Sequence, residues 1–414
     1  GWNEGNRMLK RLGNFLRPES KAVETFSASA FYDLFAQPTA SGVTVTPTTA
    51  MQTPAIYSSV KVLSEAVAQL PLHVYRRNDD GGRDRDPSHP VASLLKLAPN
   101  GWSSAFDFRV QMQQDLLLYG NAYAYVNRLA SGKVSELLRL PAEAVTVRAD
   151  SATSPPTYQV NTGPRTETYG PENILHLRTL GHDPHVGASP IVLNRESIAI
   201  VMVMEQHAAR LFGNGARPGG VIEYGKTLTA KVAQRLRESF DAQHGGSSKA
   251  GRTLILEDGM QFKPLAFSSV DSQFLELRRF QMAEVARIYR IPLHLLNDLE
   301  RTTHANAESL GRQFLSFTLL PWLQIWEQAI NRTLFGKVER RTFYAEFLTD
   351  ELARADLAQR MQAYAQAVNN GILNPNEVRR AEGRPAYEGG DKFRLPMNTE
   401  NPATTPETGA GDGT

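Results

Sequence analysis

The sequence contains no cysteine, which excludes thiol catalysis, disulfide staples, Cys-ligated zinc and iron–sulfur clusters. Nor does it carry charge of one sign in excess: 45 Lys and Arg stand against 43 Asp and Glu, a formal +2. Tight non-specific binding of a polyanion needs a larger positive surplus, so any nucleic acid this chain meets is expected to be handled loosely. Long apolar runs are missing too. The best, Ile198 to Met204, is bounded by Glu196 and Glu205 and falls far short of the roughly 18 residues that a membrane helix needs. The first residues, with Arg7, Lys10 and Arg11 ahead of Leu12, Phe15 and Leu16, offer no uninterrupted apolar stretch for a secretory signal. With 41% hydrophobic and 21% charged residues, 31 Gly and 24 Pro, the composition is that of a globular chain and neither collagenous nor globally disordered. At roughly 150 residues per domain, 414 residues should build two or three structural units.

Residues 1–43 hold one short amphipathic segment, Met8 to Leu16, then a Ser, Thr, Ala and Pro-rich stretch, and read as a mobile arm. Thr53 followed by Pro54 signals a helix start, and Ile56, Val60, Leu63, Val67 and Leu70 recur at helical spacing until Pro71. A strand from Leu72 to Arg77 ends in the turn Asn78-Asp79-Asp80-Gly81-Gly82. Short helices are expected near 90–98 and 104–118. Ala122–Leu129 and Val134–Leu140 read as a hairpin about Ser131-Gly132, with further strands at 144–149 and 173–178. Residues 44–187 thus predict an α+β domain with an antiparallel sheet.

From Ser189-Pro190 to Phe212 the spacing predicts one unbroken helix, stopped by Gly213. A compact βαββ insert follows: a strand at Gly220–Tyr224, a helix at Thr229–Phe240, then strands at 252–257 and 261–267. A second long helix opens with the capping box Ser268-x-x-Asp271 and ends before Pro292. A third, 306–335, carries Leu315, Leu319, Trp322, Trp326 and Ile330 on one stripe, with a kink expected at Pro321. Thr342–Leu348 alternate as a strand. A helix from Asp350 to Asn370 is closed by Gly371, and Asn374-Pro375-Asn376-Glu377 opens another with a capping box. Residues 398–414 are Thr, Pro, Gly and Glu-rich and read as a disordered tail.

Gly220-Val-Ile-Glu-Tyr-Gly-Lys226-Thr227 satisfies the phosphate-loop pattern, and Leu254-Ile-Leu-Glu-Asp258 resembles an acidic strand end for magnesium. Taken alone this says ATPase, with Lys226 and Thr227 on the nucleotide. Physical chemistry favours a strand and turn instead. A phosphate cradle needs small residues whose amides turn inward, whereas Val221, Ile222 and Tyr224 favour extended backbone and Glu223 repels phosphate. His182-Asp183-Pro184-His185 sits in a Pro and Gly-bounded loop without the helix that makes i, i+4 histidines converge, so no metal is expected there. The aromatic stripe Phe314, Phe317, Trp322, Trp326 reads as packing beside Leu315 and Leu319. No grouping supports catalysis, and no cofactor or metal is expected.

Several stretches taken together resemble the portal proteins of tailed phages of the Hong Kong phage type. They are Thr53–Leu72, Leu116-Leu-Leu-Tyr-Gly-Asn-Ala-Tyr-Ala, Gly187-Ala-Ser-Pro-Ile, His207-Ala-Ala-Arg-Leu-Phe-Gly-Asn-Gly-Ala-Arg-Pro, Gly251-Arg-Thr and Ile288-Tyr-Arg-Ile-Pro-Leu-His-Leu-Leu. Thr318-Leu-Leu-Pro-Trp, Asn374-Pro-Asn-Glu-Val-Arg and Pro396-Met-Asn complete the set, which covers about residues 44–397 in order.

The resemblance implies a non-enzymatic homo-oligomeric ring, usually of twelve copies, at one capsid vertex of the virion, assembled in the host cytoplasm. Double-stranded DNA passes through it without sequence specificity. The implied partners are the terminase large subunit, the major capsid protein and a head-tail adaptor protein, with no membrane. The implied parts are a wing (44–187, completed by 306–348), stem helices (188–216 and 268–292) carrying a clip (217–267), a tunnel loop (293–305) and an α-helical crown (349–397). Arg301, Thr302, Thr303 and His304 are then the DNA-channel candidates. The loop departs from the family in His304 and Ala305, where an aromatic and a Ser are common. Two rivals stand beside this reading: a nucleotide-driven translocase using Lys226 and Thr227, and a head protein that never meets DNA. Twelve helices at ~10 Å spacing would enclose an axis-to-axis diameter of ~38 Å, leaving a bore of ~28 Å, enough for a duplex.

Overall fold

Pro54 cannot donate a backbone hydrogen bond and is preset for the first helical turn, and α2 (Pro54–Gln69) begins there, one short turn after α1 (Pro47–Ala50). Thr53 stands at the N-cap but makes no capping bond through its side chain. Ile56, Val60, Leu63 and Val67 of α2 are fully buried and form the centre of the main core. The computed structural model describes residues 38–78, 82–213, 220–223, 225, 229–244, 259–264, 270–296, 307–349, 357–382 and 384–394. By contacts the chain divides into two compact units, the second beginning at Thr349.

In the first unit, β1 (Leu72–Arg77) and β2 (Arg83–Arg85) precede α3 (Pro90–Lys96) and α4 (Ala105–Tyr119). The hairpin β3 (Asn121–Arg128) and β4 (Val134–Leu140) follows, with Gly132 left-handed at its turn. β5 (Val145–Arg148), β6 (Thr157–Asn161), β7 (Thr166–Tyr169) and β8 (Ile174–Arg178) complete the run. The strands form three antiparallel three-stranded sheets, not one: β4-β3-β8, β5-β6-β7, and β11-β1-β2, where β11 is Phe343–Phe347. Strand β7 escapes the sequence reading because it is exposed and polar, so it shows none of the apolar alternation of a half-buried strand; β6 does alternate, burying Tyr158 and Val160, but over only five residues.

Two expected helices are interrupted. The one expected from 189 to 212 is α5 (Pro190–Leu193) and then α6 (Arg195–Gly213), broken at Asn194 (φ −114°, ψ 19°). The Asn194 side chain donates to the Pro190 carbonyl at 2.8 Å, the local competition with helical bonding that makes Asn a poor interior residue. After the two-stranded β9 (Gly220–Glu223) and β10 (Gln261–Pro264) with α7 (Ala230–His244) comes α8 (Val270–Tyr289). The third helix is α9 (Ala307–Gln313), a π-helical turn at Phe314–Leu319, and α10 (Leu320–Thr333). Its irregularity therefore precedes Pro321, which occupies the unstrained first turn of α10. The stripe Leu315, Leu319, Trp322, Trp326 and Ile330 is buried as expected, but Phe317, two positions from Leu315 and so on the opposite face, is 70% exposed and is not packing.

The second unit holds α11 (Leu357–Asn369), ended by left-handed Gly371, and α12 (Pro375–Ala381), whose Asn374–Glu377 capping box has both bonds. The strand at 252–257, Ser268 of the second stem cap, and the expected helix start at 350–356 lie outside the described residues.

Where β8 meets β5-β6-β7, His176 is 4% exposed. Its Nε2 donates to Asn121 Oδ1 at 3.0 Å, and its Nδ1 accepts from the Tyr158 hydroxyl at 3.2 Å. Burial, with Arg178, Arg332 and His185 nearby, holds its pKa well below 6.5. The unfolded chain takes up this proton more readily than the fold. His176 therefore adds stability that is complete above about pH 6.5 and lost below it, by up to about 1.4 kcal/mol per pH unit. Denaturant titrations from about pH 5 to 8 should show a steeper acid loss for the wild type than for His176→Gln. Parallel curves would mean that the buried imidazole accepts its proton freely.

Candidate functional site

An α-helix leaves its last four carbonyls without internal partners. In α4 the Gly120 amide closes the last helical bond, to the Leu116 carbonyl (3.0 Å), which leaves Leu117, Leu118, Tyr119 and Gly120, and each finds a donor. Leu117 accepts from the Tyr289 hydroxyl (3.2 Å), Leu118 from Ser189 Oγ (2.6 Å), Tyr119 from Asn121 Nδ2 (3.3 Å) and Gly120 from the Thr179 amide (2.8 Å). Tyr289 ends α8 and Ser189 caps α5, so both of these helices are bonded to one helix terminus. Stretches that the sequence presents separately, Leu116–Ala124 apart from Gly187–Ile191 and Ile288–Leu296, thus include parts of a single junction. Asn121 closes it through Nδ2 to the Gly187 carbonyl (2.7 Å) and through Oδ1 from the Gly187 amide (2.8 Å). Gly120 is left-handed (φ 77°), and a Cβ there would lie 2.3 Å from the Ala188 carbonyl oxygen, so no other residue fits this crossing.

Beyond the junction, α8 stops in a way the sequence does not announce. Arg290 is left-handed (φ 56°), the one such non-glycine among the described residues. Its amide donates to the Arg287 carbonyl (3.1 Å) and the Ile291 amide to Ala286 (2.9 Å), the paired bonds of a Schellman stop, with arginine where glycine usually stands. Thr318, 2% exposed in the π turn, donates its hydroxyl to the Arg290 carbonyl at 2.6 Å. The end of α8 is therefore tied to the π turn of the third helix. Leu295 and Leu296 of the 3₁₀ turn Leu293–Leu296 pack on the main core. The channel candidates Arg301, Thr302, Thr303 and His304 themselves lie outside the described residues. The positioning residues Tyr289, Arg290 and Thr318 escape sequence reading because their roles depend on contacts with distant elements.

The two long helices α6 and α8 balance their charge. Arg195, Arg210, Arg278, Arg279 and Arg287 are matched in number by Glu196, Glu205, Asp271, Glu276 and Glu284. Glu284 and Arg287 pair along α8. Burial pushes the Glu205 carboxyl up, opposed by Arg278. Val285, Ala286 and Tyr289 are buried at the root of α8, whereas residues 276–280 are all exposed.

The phosphate-loop-like segment takes the extended form: Gly220–Glu223 pairs antiparallel with β10, and Glu223 meets Lys263 at 2.8 Å. A strand directs successive amides to opposite edges and cannot cradle a phosphate with them. Lys226 and Thr227 lie outside the described residues. At His182–His185 the Asp183 carboxylate accepts from the His185 and Val186 amides (2.6 and 3.2 Å) and shapes its own loop. Among the described residues no group of His, Asp or Glu could hold a metal, and no helix is long and apolar enough to cross a membrane.

Comparison with known proteins follows the same residues. A family model described as phage portal protein matches residues 54–383. The probable portal protein of Streptomyces phage phiC31 is 33% identical over 403 residues, covering 94% of this chain and 87% of that protein. The portal protein of Enterobacteria phage HK97 is 31% identical over 345 residues, covering 82% and 81%. A chain in the neck of a native gene transfer agent particle, computed with C12 symmetry, superposes with a TM-score of 0.58 at 26% identity, covering 82% of this chain and 94% of that one.

Proposed function

The chain belongs to the phage portal protein family, and from that premise we propose how its parts serve a DNA channel. It is the portal protein of a capsid vertex in the virion, through which double-stranded DNA is packaged and ejected. Twelve copies form the ring, a number supported by the C12 symmetry of the similar gene transfer agent neck. The wing is 44–187 completed by 306–348, the stem is 188–216 with 268–292, the clip is 217–267 and the crown is 349–397. Its partners in this reading are the terminase large subunit, the head-tail adaptor and the major capsid protein.

The observation that supports this division best is the root of the stem. Both stem segments hang on the last turn of α4, so force on the stem passes directly into the wing core. The charge balance of α6 and α8 suits a conduit, because each neutralised phosphate would release counterions and hold the duplex in place. Native mass measurement tests the reading: the expected mass is close to twelve times 45.8 kDa. A persistently monomeric chain under all assembly conditions would sink it.

The ring itself turns over no nucleotide; a separate motor drives the DNA. Lys226→Ala is accordingly expected to leave DNA packaging intact and to change no ATPase rate. Hydrolysis by the wild-type ring that disappears in this variant would restore the translocase reading.

For the channel we take Arg301 as the phosphate neighbour, with Thr302, Thr303 and His304 supplying neutral or weakly charged contacts near pH 7; the alternative is that Arg301 pairs with Glu300, Asp298 or a neighbouring copy and shapes the loop. Arg301→Ala should leave ring mass unchanged and alter packaged-DNA retention by about a few-fold at low salt, with an effect that shrinks as salt rises. Loss of the ring in this variant would assign Arg301 a purely structural role.

A further inference from the structure

The sheet β4-β3-β8 carries a projecting aromatic at one edge and a cationic groove at the other. At the β4 edge, the loop between α3 and α4 bonds to Leu137 on the side away from β3. The Leu137 amide donates to the Pro99 carbonyl (2.8 Å), and Asn100 Nδ2 donates to the Leu137 carbonyl (2.9 Å). Asn100 is only 9% exposed, and its Oδ1 accepts from the amides of Trp102 (3.1 Å) and Ser103 (2.9 Å). The loop is thereby held in one shape, yet Trp102 is 77% exposed, with Leu97 at 67% and Phe106 at 43% on either side in sequence. An indole on a fixed backbone loses little entropy when it is buried, which is the usual character of an interface anchor.

At the opposite edge, β8 and α10 border an open groove of 680 Å³ lined by Arg178, Pro321, Gln324, Ile325, Gln328 and Arg332 among others, none of them acidic. Arg178 and Arg332 are both exposed. Its apolar wall of Pro321 and Ile325 suits a ring, and a guanidinium over an indole face adds attraction. The charges complement as well. From Leu97 to Phe108 the loop and its helix start contain one acidic residue, exposed Asp107, and no basic one.

We propose that Trp102 of one copy, with Asp107 beside it, seats in the β8–α10 groove of the next copy. Knob and groove lie on opposite edges of one sheet, so the contact is head-to-tail, the kind that generates a ring when its rotation closes. The proposal rests on the ring reading above and names the wing surfaces that join its copies.

The test uses the full chain. Trp102→Ala and Arg332→Ala should each raise the concentration for half-assembly about tenfold or more, read by native mass, while the circular dichroism of the monomer stays unchanged. The double variant should be little worse than the poorer single one, because both remove the same contact. Because the chain has no cysteine, Gly101→Cys with Gln328→Cys gives a background-free second measurement; a Cβ at Gly101 meets nothing within 4 Å. A short bis-maleimide should convert its rings into a covalent ladder. Rings that form normally from both alanine variants, or that give no ladder, overturn the proposal and leave the ring intact. A ladder seen only with capsid protein present overturns it by assigning the groove to that partner. A wild-type chain that never assembles fails the ring reading itself.

Discussion

Replacing Val285 by proline is expected to leave neither rings nor a stable folded chain. Val285 is fully buried in the last turns of α8, in the core that includes α2. Proline removes the amide bond to the carbonyl four residues earlier and places its ring against that carbonyl, a cost of about 3 kcal/mol or more in each copy. The same kink would displace Tyr289, whose hydroxyl serves Leu117 at the stem root. Against a net stability of roughly 5–15 kcal/mol the combined loss is decisive. Val285→Ala separates backbone from packing: it keeps the helix, loses two methyl groups, and should cost about 2 kcal/mol while rings persist. Met202→Pro, at a half-buried position in α6, should leave a folded chain that does not assemble. Soluble rings of normal mass from Val285→Pro would show that α8 is not a continuous helix at its root.

Arg109→Ala is expected to destabilise the first unit by at least about 3 kcal/mol, with no change in any channel contact. Arg109 lies on α4 and is 9% exposed. Its Nη2 donates to the Ala68 carbonyl at 2.6 Å and its Nη1 to the Leu95 carbonyl at 3.2 Å, so one guanidinium serves the C-terminal ends of both α2 and α3. A cation gains from the negative end of a helix dipole, and here it meets two. Burial lowers its pKa to about 10, so it stays charged at neutral pH. Truncation would strand two buried carbonyls and open a cavity. Arg109→Lys keeps the charge but reaches as a single point, and should recover only part of the loss. Denaturant titration of the three proteins decides; a loss below about 1 kcal/mol for Arg109→Ala would mean that water replaces the guanidinium at both helix ends.

Local chemistry makes some elements readable in advance. Thr53-Pro54 and Asn374-Pro375-Asn376-Glu377 mark helix starts because proline's missing amide and a capping side chain act within a few residues. The hairpin at Gly132 and the stop at Gly371 follow from the left-handed backbone that glycine adopts without strain. The phosphate-loop pattern gives way to a strand on similarly local grounds, since Val221 and Ile222 favour extended backbone. Balanced charge and the absence of cysteine bound the function, and the ordered set of motifs points to the family.

Other features answer to residues far away in the chain. Arg290 is left-handed and its carbonyl is held by Thr318, 28 positions later, and no local signal favours arginine there. The helix after residue 306 breaks as a π turn before Pro321, whereas helical periodicity assumes an even 3.6-residue repeat. Periodicity, capping and turn chemistry act within a turn or two of the chain, so the sequence by itself determined where most helices and strands begin and end, and the family. Only the tertiary structure decided that the carbonyls ending α4 gather the cap of α5 and the end of α8, and that Trp102 and the Arg178–Arg332 groove stand on opposite edges of one sheet. Those arrangements come from unpaired polar groups and apolar faces meeting across long sequence separations, where spacing along the chain carries no information.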